Sequence, residues 1–321
     1  MTAQIRHERI DGCELRYRRV GGGIPVVLLH PLRMQLEYFA PLIDQLDTTR
    51  FDVIAVDLPG HGESAAPAVN YTTNYFTRTV GALLEHLGLP EPVLVGESIG
   101  ATIALALAVT SPANSAKVVA LNPYDYGRWG GIRRSSPLNN VVFTSMLWPI
   151  VGPLVPYAAT KQILRLVMAG GLHDRRNLPD EFVDALYPCG LLPGHPRAFR
   201  SLSQQWRTWI SARESYPSIK LPVTLVYGEE DWSRPPERTA NAYAIPAAQT
   251  VTLRNAGHFS CLEKPHEIAD LIDAAALTSS RAERPIDPNR PRLCRSTIVR
   301  TSSARRASGR DLSPDPSGQR R

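Results

Sequence analysis

Cysteine is scarce in this chain and long apolar runs are missing, and each shortage excludes a class of protein. The four cysteines show neither a Cys-x-x-Cys pair nor a metal-like spacing, so we expect no disulfide framework and no zinc site. They are Cys13, Cys189, Cys261 and Cys294. The longest apolar stretch, Met146 to Tyr157, is interrupted by prolines and is too short to span a bilayer. The N-terminus lacks the apolar segment of a secretory signal. We expect a cytoplasmic protein without stable membrane insertion.

Net charge is also small over most of the chain. The total is +6 at pH 7, but residues 281–321 alone contain eleven Arg and four acidic residues, which leaves −1 on residues 1–280. A nearly neutral folded part offers no basic surface to nucleic acid, so no nucleic-acid partner is expected. The remaining composition, 43% hydrophobic and 21% charged, is typical of soluble globular proteins.

Short apolar runs alternate with amphipathic stretches, which predicts strands separated by helices. The predicted strands are Ile5–Ile10, Glu14–Val20, Pro25–His30, Val53–Asp57, Val93–Val95, Val118–Asn122, Val223–Tyr227 and Thr250–Leu253. The predicted helices between and after them are Leu36–Leu46, Thr73–Leu87, Ile99–Val109, Pro236–Tyr243 and Pro265–Leu277. Repeated strand-helix-strand units predict an α/β protein with a mostly parallel eight-stranded sheet and helices on both of its faces.

The alternation breaks between residues 124 and 217. This stretch is rich in Pro and Gly and contains helical pieces at Glu181–Tyr187 and Pro196–Ile210. We therefore predict a core formed by residues 1–123 and 218–278, with residues 124–217 inserted as a helical cap. Residues 279–321 are dominated by Arg, Ser and Pro and cannot bury enough apolar area to offset the entropy of ordering them, which predicts a disordered tail.

The strongest local motif is the segment Gly96-Glu97-Ser98-Ile99-Gly100. It lies directly after the predicted strand and directly before an apolar helix. A serine on such a tight turn is exposed at the carboxyl end of the sheet, and the small residues on either side let strand and helix approach closely. We predict Ser98 as a catalytic nucleophile.

A serine hydroxyl needs a base, and the base needs an acid that fixes its tautomer. His258 follows the last predicted strand, and Asp231 follows the one before it, so both fall at the carboxyl end of the sheet. The chain order Ser98, Asp231, His258 is the one expected for this type of site. Glu229, Glu230 and Asp125 remain alternative acids. Backbone N–H groups of Ile99, at the start of a helix, and of Leu32, since Pro31 has none, are the predicted oxyanion donors.

On these segments the chain resembles the α/β-hydrolase superfamily of esterases, lipases and related enzymes, over residues 5 to 277. Residues 57–64, Asp-Leu-Pro-Gly-His-Gly-Glu-Ser, are similar to a loop that is common in this superfamily and serves as scaffold. The resemblance assigns the nucleophile to Ser98, the acid to Asp231, the base to His258 and the oxyanion hole to Leu32 and Ile99. Pro31 departs from the pattern, since relatives usually have glycine there. A serine rather than an aspartate at position 98 argues against haloalkane dehalogenases and epoxide hydrolases.

The expected function is hydrolysis of a carboxylic ester or lactone through an acyl-enzyme, with no cofactor and no metal. Aromatic and apolar residues of the cap predict a small-molecule substrate with an apolar acyl or aromatic part. Arg128, Arg133 and Arg134 are expected to be solvated, and pairing with a substrate carboxylate is the alternative. Carbon–carbon bond hydrolysis, perhydrolysis, amide hydrolysis, acyl transfer and ligand binding without turnover stay open, as does the oligomeric state.

Overall fold

An eight-stranded sheet forms the centre of a computed structural model that describes residues 3–112, 115, 117–127 and 131–282. For residues 278–282 the description is confined to the backbone. The strands are β1 (Gln4–Ile10), β2 (Cys13–Gly21), β3 (Ile24–Leu29), β4 (Phe51–Val56), β5 (Val93–Glu97), β6 (Lys117–Leu121), β7 (Val223–Gly228) and β8 (Gln249–Leu253). Their order in the sheet is β1-β2-β4-β3-β5-β6-β7-β8. The first two strands pair antiparallel, as do β2 and β4, and the pairs from β4 to β8 are parallel. The predicted fold class is confirmed.

Alternate residues of the central strands divide the core into two layers. In β3, Val27 and Leu29 pack into the apolar cluster on one face of the sheet, whereas Val26 and Leu28 pack into the cluster on the other. Strands buried on both faces need apolar residues at every position, because side chains point alternately to either side. Continuous apolar runs in the sequence therefore mark these strands.

Helices cover both faces of the sheet. Within the described residues they are α1 (Ala40–Ile43), α2 (Thr73–Leu87), α3 (Ile99–Thr110), α4 (Ile132–Ser135), α5 (Pro137–Ser145), α6 (Val155–Ala158), α7 (Lys161–Ala169), α8 (Asp180–Cys189), α9 (His195–Gln204), α10 (Trp206–Ser211), α11 (Pro235–Ala244), α12 (Ser260–Glu263) and α13 (Pro265–Ala282). Short 3₁₀ helices span Leu36–Phe39, Arg175–Asn177 and Ala212–Ser218. The helices α2 and α3 pack on the first face, and α13 packs on the second.

Two predicted helices are wrong in their extent. The predicted helix Leu36–Leu46 is a 3₁₀ turn followed by the single turn of α1, because Pro41 has no N–H with which to continue a regular helix. The predicted helix Pro196–Ile210 divides at Gln205, whose φ of −84° and ψ of 20° are not helical. The break lets Trp209 reach Phe76, with ring centroids 5.6 Å apart.

The segment between β6 and β7 contains α4 to α10, and none of its described residues forms a strand. It belongs to the same compact unit as the sheet. At the other end of the core, α13 continues to Ala282, so residues 279–282 of the predicted disordered tail are helical. The remainder of that tail, with Cys294, lies outside the described residues. No helix in the described part of the chain is long and apolar enough to cross a membrane.

Candidate active site

Ser98 lies on a sharp turn between β5 and α3. Its φ of 59° and ψ of −117° are unfavourable for a residue with a side chain, and its backbone is held by bonds from its N–H to Leu121 O (2.9 Å) and from Tyr124 N–H to its carbonyl (3.1 Å). A Cβ on Gly96 would collide with the carbonyl of Gly100, and one on Gly100 with the carbonyl of Leu29. The two glycines therefore permit the close approach of strand and helix that the turn requires.

His258 and Asp231 come together at the carboxyl ends of the parallel strands. The Nδ1 atom of His258 lies 2.5 Å from Asp231 Oδ1, and both residues are buried. The other carboxylate oxygen accepts hydrogen bonds from the backbone N–H (2.9 Å) and the hydroxyl of Ser233. Burial raises the pKa of Asp231, but attraction to His258 and the bonds from His258 and Ser233 outweigh it, so the pKa is lowered overall. Asp231 is thus a charged carboxylate that orients the imidazole.

The three alternative acids have other partners. Asp125 accepts bonds from Tyr216 Oη (3.1 Å) and Asn241 Nδ2 (3.0 Å). Glu230 lies 2.7 Å from His173 Nδ1, and Glu229 accepts a bond from the backbone N–H of Asn255. Of the four candidate carboxylates, Asp231 is the one that contacts His258.

Ser98 and His258 do not share a hydrogen bond in this structure. The buried Nε2 atom of His258, which is the nitrogen opposite Asp231, has no hydrogen-bond partner among the described residues. Contacts of this kind are often long in unliganded enzymes and tighten when substrate binds. The imidazole ring is fixed on its flank, since it stacks on Trp232 at 3.8 Å between ring centroids and an interplanar angle of 16°.

A buried polar network joins the Ser98 turn to the His258 loop. Glu97 accepts a bond from the backbone N–H of Ser260 (2.6 Å) and another from the Tyr38 hydroxyl. Asn122 donates to the carbonyl of His258 (2.9 Å) and to Ser260 Oγ (2.8 Å). Burial raises the pKa of Glu97. The sequence analysis assigned no role to Glu97 or Asn122. The available signals were that Glu97 is an acid next to Ser98 and that Asn122 is a polar residue directly after the apolar strand β6.

The segment between β6 and β7 also holds the histidine loop. The carbonyl of Gly171 accepts bonds from the backbone N–H groups of His258 (2.7 Å) and Phe259 (3.2 Å). A Cβ on Gly171 would lie 2.6 Å from the Phe259 ring and 2.8 Å from the Trp232 ring, so a larger residue does not fit. The helical segment therefore fixes the position of His258 as well as covering the sheet.

The loop after β3 carries the predicted oxyanion donor Leu32. His30 fixes this loop, since its Nε2 accepts from Leu58 N–H (3.0 Å) and its Nδ1–H donates to the carbonyl of Pro31 (2.8 Å). Burial lowers the pKa of His30 to about 4, so the ring is neutral at physiological pH. Outside the helices and strands, no backbone acceptor in the described part of the chain bonds the N–H of Leu32 or of Ile99.

A largely apolar pocket adjoins both this loop and the histidine loop. We call it the apolar pocket; its lining includes Leu32, Phe143, Met146, Met168 and Phe259. The space between its lining atoms amounts to about 620 Å³, part of it open to solvent. Two aromatic residues of the segment between β6 and β7, Trp148 and Tyr157, are exposed, and Trp129 lies outside the described residues.

The prediction that the cap arginines are solvated is wrong for the two that are described. Arg133 is only 8% exposed and donates to Thr144 Oγ1 (2.9 Å). Arg134 pairs with Glu237 and donates to the carbonyl of Trp232 (3.1 Å). Both are held by partners that sequence spacing does not reveal, and Arg128 lies outside the described residues.

Comparisons with known proteins agree with this architecture. A match to the family described as "Alpha/beta hydrolase family" covers residues 26–271 of the chain. An uncharacterized hydrolase of Bacillus subtilis, YugF, is 26% identical over 84% of this chain and 97% of its own length. The (E)-2-((N-methylformamido)methylene)succinate hydrolase of Acinetobacter baylyi is 24% identical over 85% of this chain and 96% of its own length. The crystal structure of the enol-lactonase from Burkholderia xenovorans superimposes with a TM-score of 0.68 at 22% identity, covering 85% of this chain and all of that one.

Proposed function

The chain belongs to the alpha/beta hydrolase family, and on that premise we propose that it cleaves a carboxylic ester or lactone through an acyl-enzyme. In this proposal Ser98 is the nucleophile, His258 the general base and Asp231 the acid that orients it. The backbone N–H groups of Leu32 and Ile99 form the oxyanion hole.

One observation carries the proposal. The His258 imidazole is anchored by Asp231 through Nδ1, while its buried Nε2 has no hydrogen-bond partner among the described residues. The network through Glu97 ties the His258 loop to the strained turn of Ser98. A base that is fixed on one side and unoccupied on the other is what proton transfer from a serine hydroxyl requires.

The reaction follows from these positions. As Ser98 Oγ attacks the substrate carbonyl, its proton passes to His258 Nε2, and the negative charge that develops on the carbonyl oxygen is stabilised by the N–H groups of Leu32 and Ile99. Collapse of this intermediate breaks the bond to the leaving oxygen, which takes the proton from the imidazole. Water then gives a proton to His258, attacks the acyl group and releases the acid, and Ser98 regains its proton.

The apolar pocket supports a small substrate with an apolar acyl or aromatic part, since Leu32 and Phe259 place this pocket beside both the oxyanion loop and the base. The names of two relatives, a succinate-derivative hydrolase and an enol-lactonase, also favour hydrolysis of a small molecule.

Turnover of a short p-nitrophenyl ester by the purified full chain tests the proposal. We expect an initial burst of p-nitrophenol, and in Ser98→Ala a fall in kcat of roughly 10⁶-fold with unchanged circular dichroism. Ser218→Ala, an exposed serine at the end of a 3₁₀ helix, is the matched control and should keep full activity. Retained turnover in Ser98→Ala, or no turnover of any ester or lactone by the wild type, would overturn the proposal.

A further inference from the structure

The apolar pocket is bordered by a charged residue, Arg33. Among the described residues that line this pocket, every other one is apolar. Arg33 is half-buried, and taking a guanidinium even partly out of water is costly unless an anion neutralises it. No described carboxylate lies within ion-pair distance of Arg33. Its Nη1 donates to the carbonyl of Gly190 (3.2 Å), and its guanidinium lies 5.0 Å above the centre of the Phe199 ring.

The guanidinium of Arg33 is nevertheless held firmly in place. A Cβ on Gly190 would lie 2.5 Å from Arg33 Cζ, so this glycine makes the space that the guanidinium occupies. The backbone of Arg33 is strained, with φ at +66°, a region that residues other than glycine seldom adopt. Burial lowers the pKa of Arg33 to about 10, opposed only by nearby Tyr187, so the group stays charged at neutral pH.

A second, smaller pocket also borders Arg33, and its ionisable lining residues are Arg33, His61, Cys189 and His195. We call it the basic pocket; it is lined by Arg33, His61, His195 and Phe199, with no acidic residue among the described residues around it. His195 is 4% exposed, and neither of its ring nitrogens makes a hydrogen bond of good geometry. Burial lowers the pKa of His195, the carbonyls of Pro193, Gly62 and His61 oppose this shift, and the charge of Arg33 adds to it.

The two pockets meet at Arg33, Met34 and Phe199, which line both. Arg33 also follows Leu32, the proposed oxyanion donor, directly in the chain. A substrate whose ester carbonyl lies at Leu32 and whose acyl chain enters the apolar pocket therefore meets the guanidinium within the length of a short chain.

We propose that Arg33 binds a carboxylate on the acyl part of the substrate, so that the enzyme prefers esters or lactones of dicarboxylic acids to those of monocarboxylic acids. This inference rests on the proposed function, because the position of the acyl part is set by Ser98 and Leu32. The carboxylate replaces the missing counter-charge of Arg33, through the charge-assisted and frequently bidentate pairing that arginine makes with carboxylates.

The test compares the mono-p-nitrophenyl esters of glutarate, adipate and pimelate with the p-nitrophenyl esters of pentanoate, hexanoate and heptanoate, in which a methyl group replaces the carboxylate. For at least one chain length we expect kcat/KM of the wild type to favour the carboxylate ester by about 10- to 100-fold. In Arg33→Gln this ratio should fall to about 1, and Arg33→Lys should retain part of it.

Two further variants separate recognition from general damage. Gly190→Ala keeps Arg33 but displaces its guanidinium, and it should lower the same ratio. Arg207→Gln removes an exposed arginine that stacks on Trp206 at 4.6 Å, and it should leave the ratio unchanged. An equal loss on both members of a substrate pair in Arg33→Gln would overturn the inference, as would a wild-type ratio near 1 at all three lengths.

Binding without turnover keeps this inference distinct from the proposed function. Hexanoate should raise the melting temperature of Ser98→Ala more than 1-hexanol does, and this difference should vanish in the double variant with Arg33→Gln. If neutral esters are hydrolysed in a Ser98-dependent manner but hexanoate and 1-hexanol act alike, the inference fails and the proposed function stands. If hexanoate binds through Arg33 but no ester or lactone is hydrolysed, the proposed function fails.

Discussion

Two aspartates follow neighbouring parallel strands, and their surroundings give them opposite pKa shifts. Asp125 follows β6, and its hydrogen-bond partners in the described part of the chain are the neutral groups of Tyr216 and Asn241. Burial raises its pKa to about 6, against the attraction of Arg213 and these hydrogen bonds. Asp231 follows β7 and bonds to His258 and Ser233; burial raises its pKa too, but the pairing with His258 and the bonds from Ser233 lower it overall. Because both are buried, the partner rather than the burial decides in which direction the pKa of each aspartate is shifted.

The comparison predicts which acid catalysis depends on. Asp231→Asn should lower kcat for a p-nitrophenyl ester by roughly 10⁴-fold, because an amide stabilises the wrong tautomer of His258. Asp125→Asn, the matched control, should lower it less than about tenfold. Steady-state kinetics on both variants checks this. A loss in folded Asp125→Asn as large as that in Asp231→Asn would contradict the assignment of Asp231 as the acid on which catalysis depends.

The raised pKa of Asp125 also makes the stability of the fold depend on pH. An acid whose pKa is higher in the folded than in the unfolded state destabilises the fold once it ionises. Asp125 therefore does not lower the free energy of unfolding below about pH 4, and it lowers this free energy progressively as the pH rises to about 6. Asp125→Asn removes this cost, because an amide does not ionise.

The free energy of unfolding of Asp125→Asn should therefore gain on that of the wild type by up to about 3 kcal/mol between pH 4 and pH 7. Urea unfolding across this range measures the difference. Parallel pH profiles for the two proteins would show that Asp125 ionises in the folded state as readily as in the unfolded one.

The smallest effect concerns the support of Asp231. Ser233→Ala removes the hydroxyl bond to Asp231 but leaves the bond from its backbone N–H, so kcat/KM should fall by about 5- to 10-fold. Ser218→Ala again serves as control. A loss as large as that of Asp231→Asn would mean that Ser233 takes a more direct part than orienting the carboxylate.

The sequence was informative where a pattern repeats along the chain. Apolar runs mark the strands of a sheet buried on both faces, and the carboxyl ends of parallel strands lie at one edge, so the approach of Asp231 to His258 follows from chain order. The same reasoning favoured Asp231 but left Asp125 as an alternative acid, because both follow parallel strands.

The remaining features depend on which residues face each other across distant segments. Glu97 is linked to Ser260, and Gly171 supports His258, through contacts between parts of the chain that no local period relates. The arginines show the same limit. Arg133 is buried and Arg134 half-buried against partners that spacing does not reveal. Arg33, which no motif marked, lies in the apolar pocket.

Covalent labelling by a fluorophosphonate tests most directly whether His258 activates Ser98, because this probe reacts with a serine only when a base activates it. Peptide mapping by mass spectrometry should find the label on Ser98 in the wild type and, in His258→Ala, a labelling rate lower by several orders of magnitude. A label on another residue, or equal labelling rates in the two proteins, would contradict the claim that His258 activates Ser98.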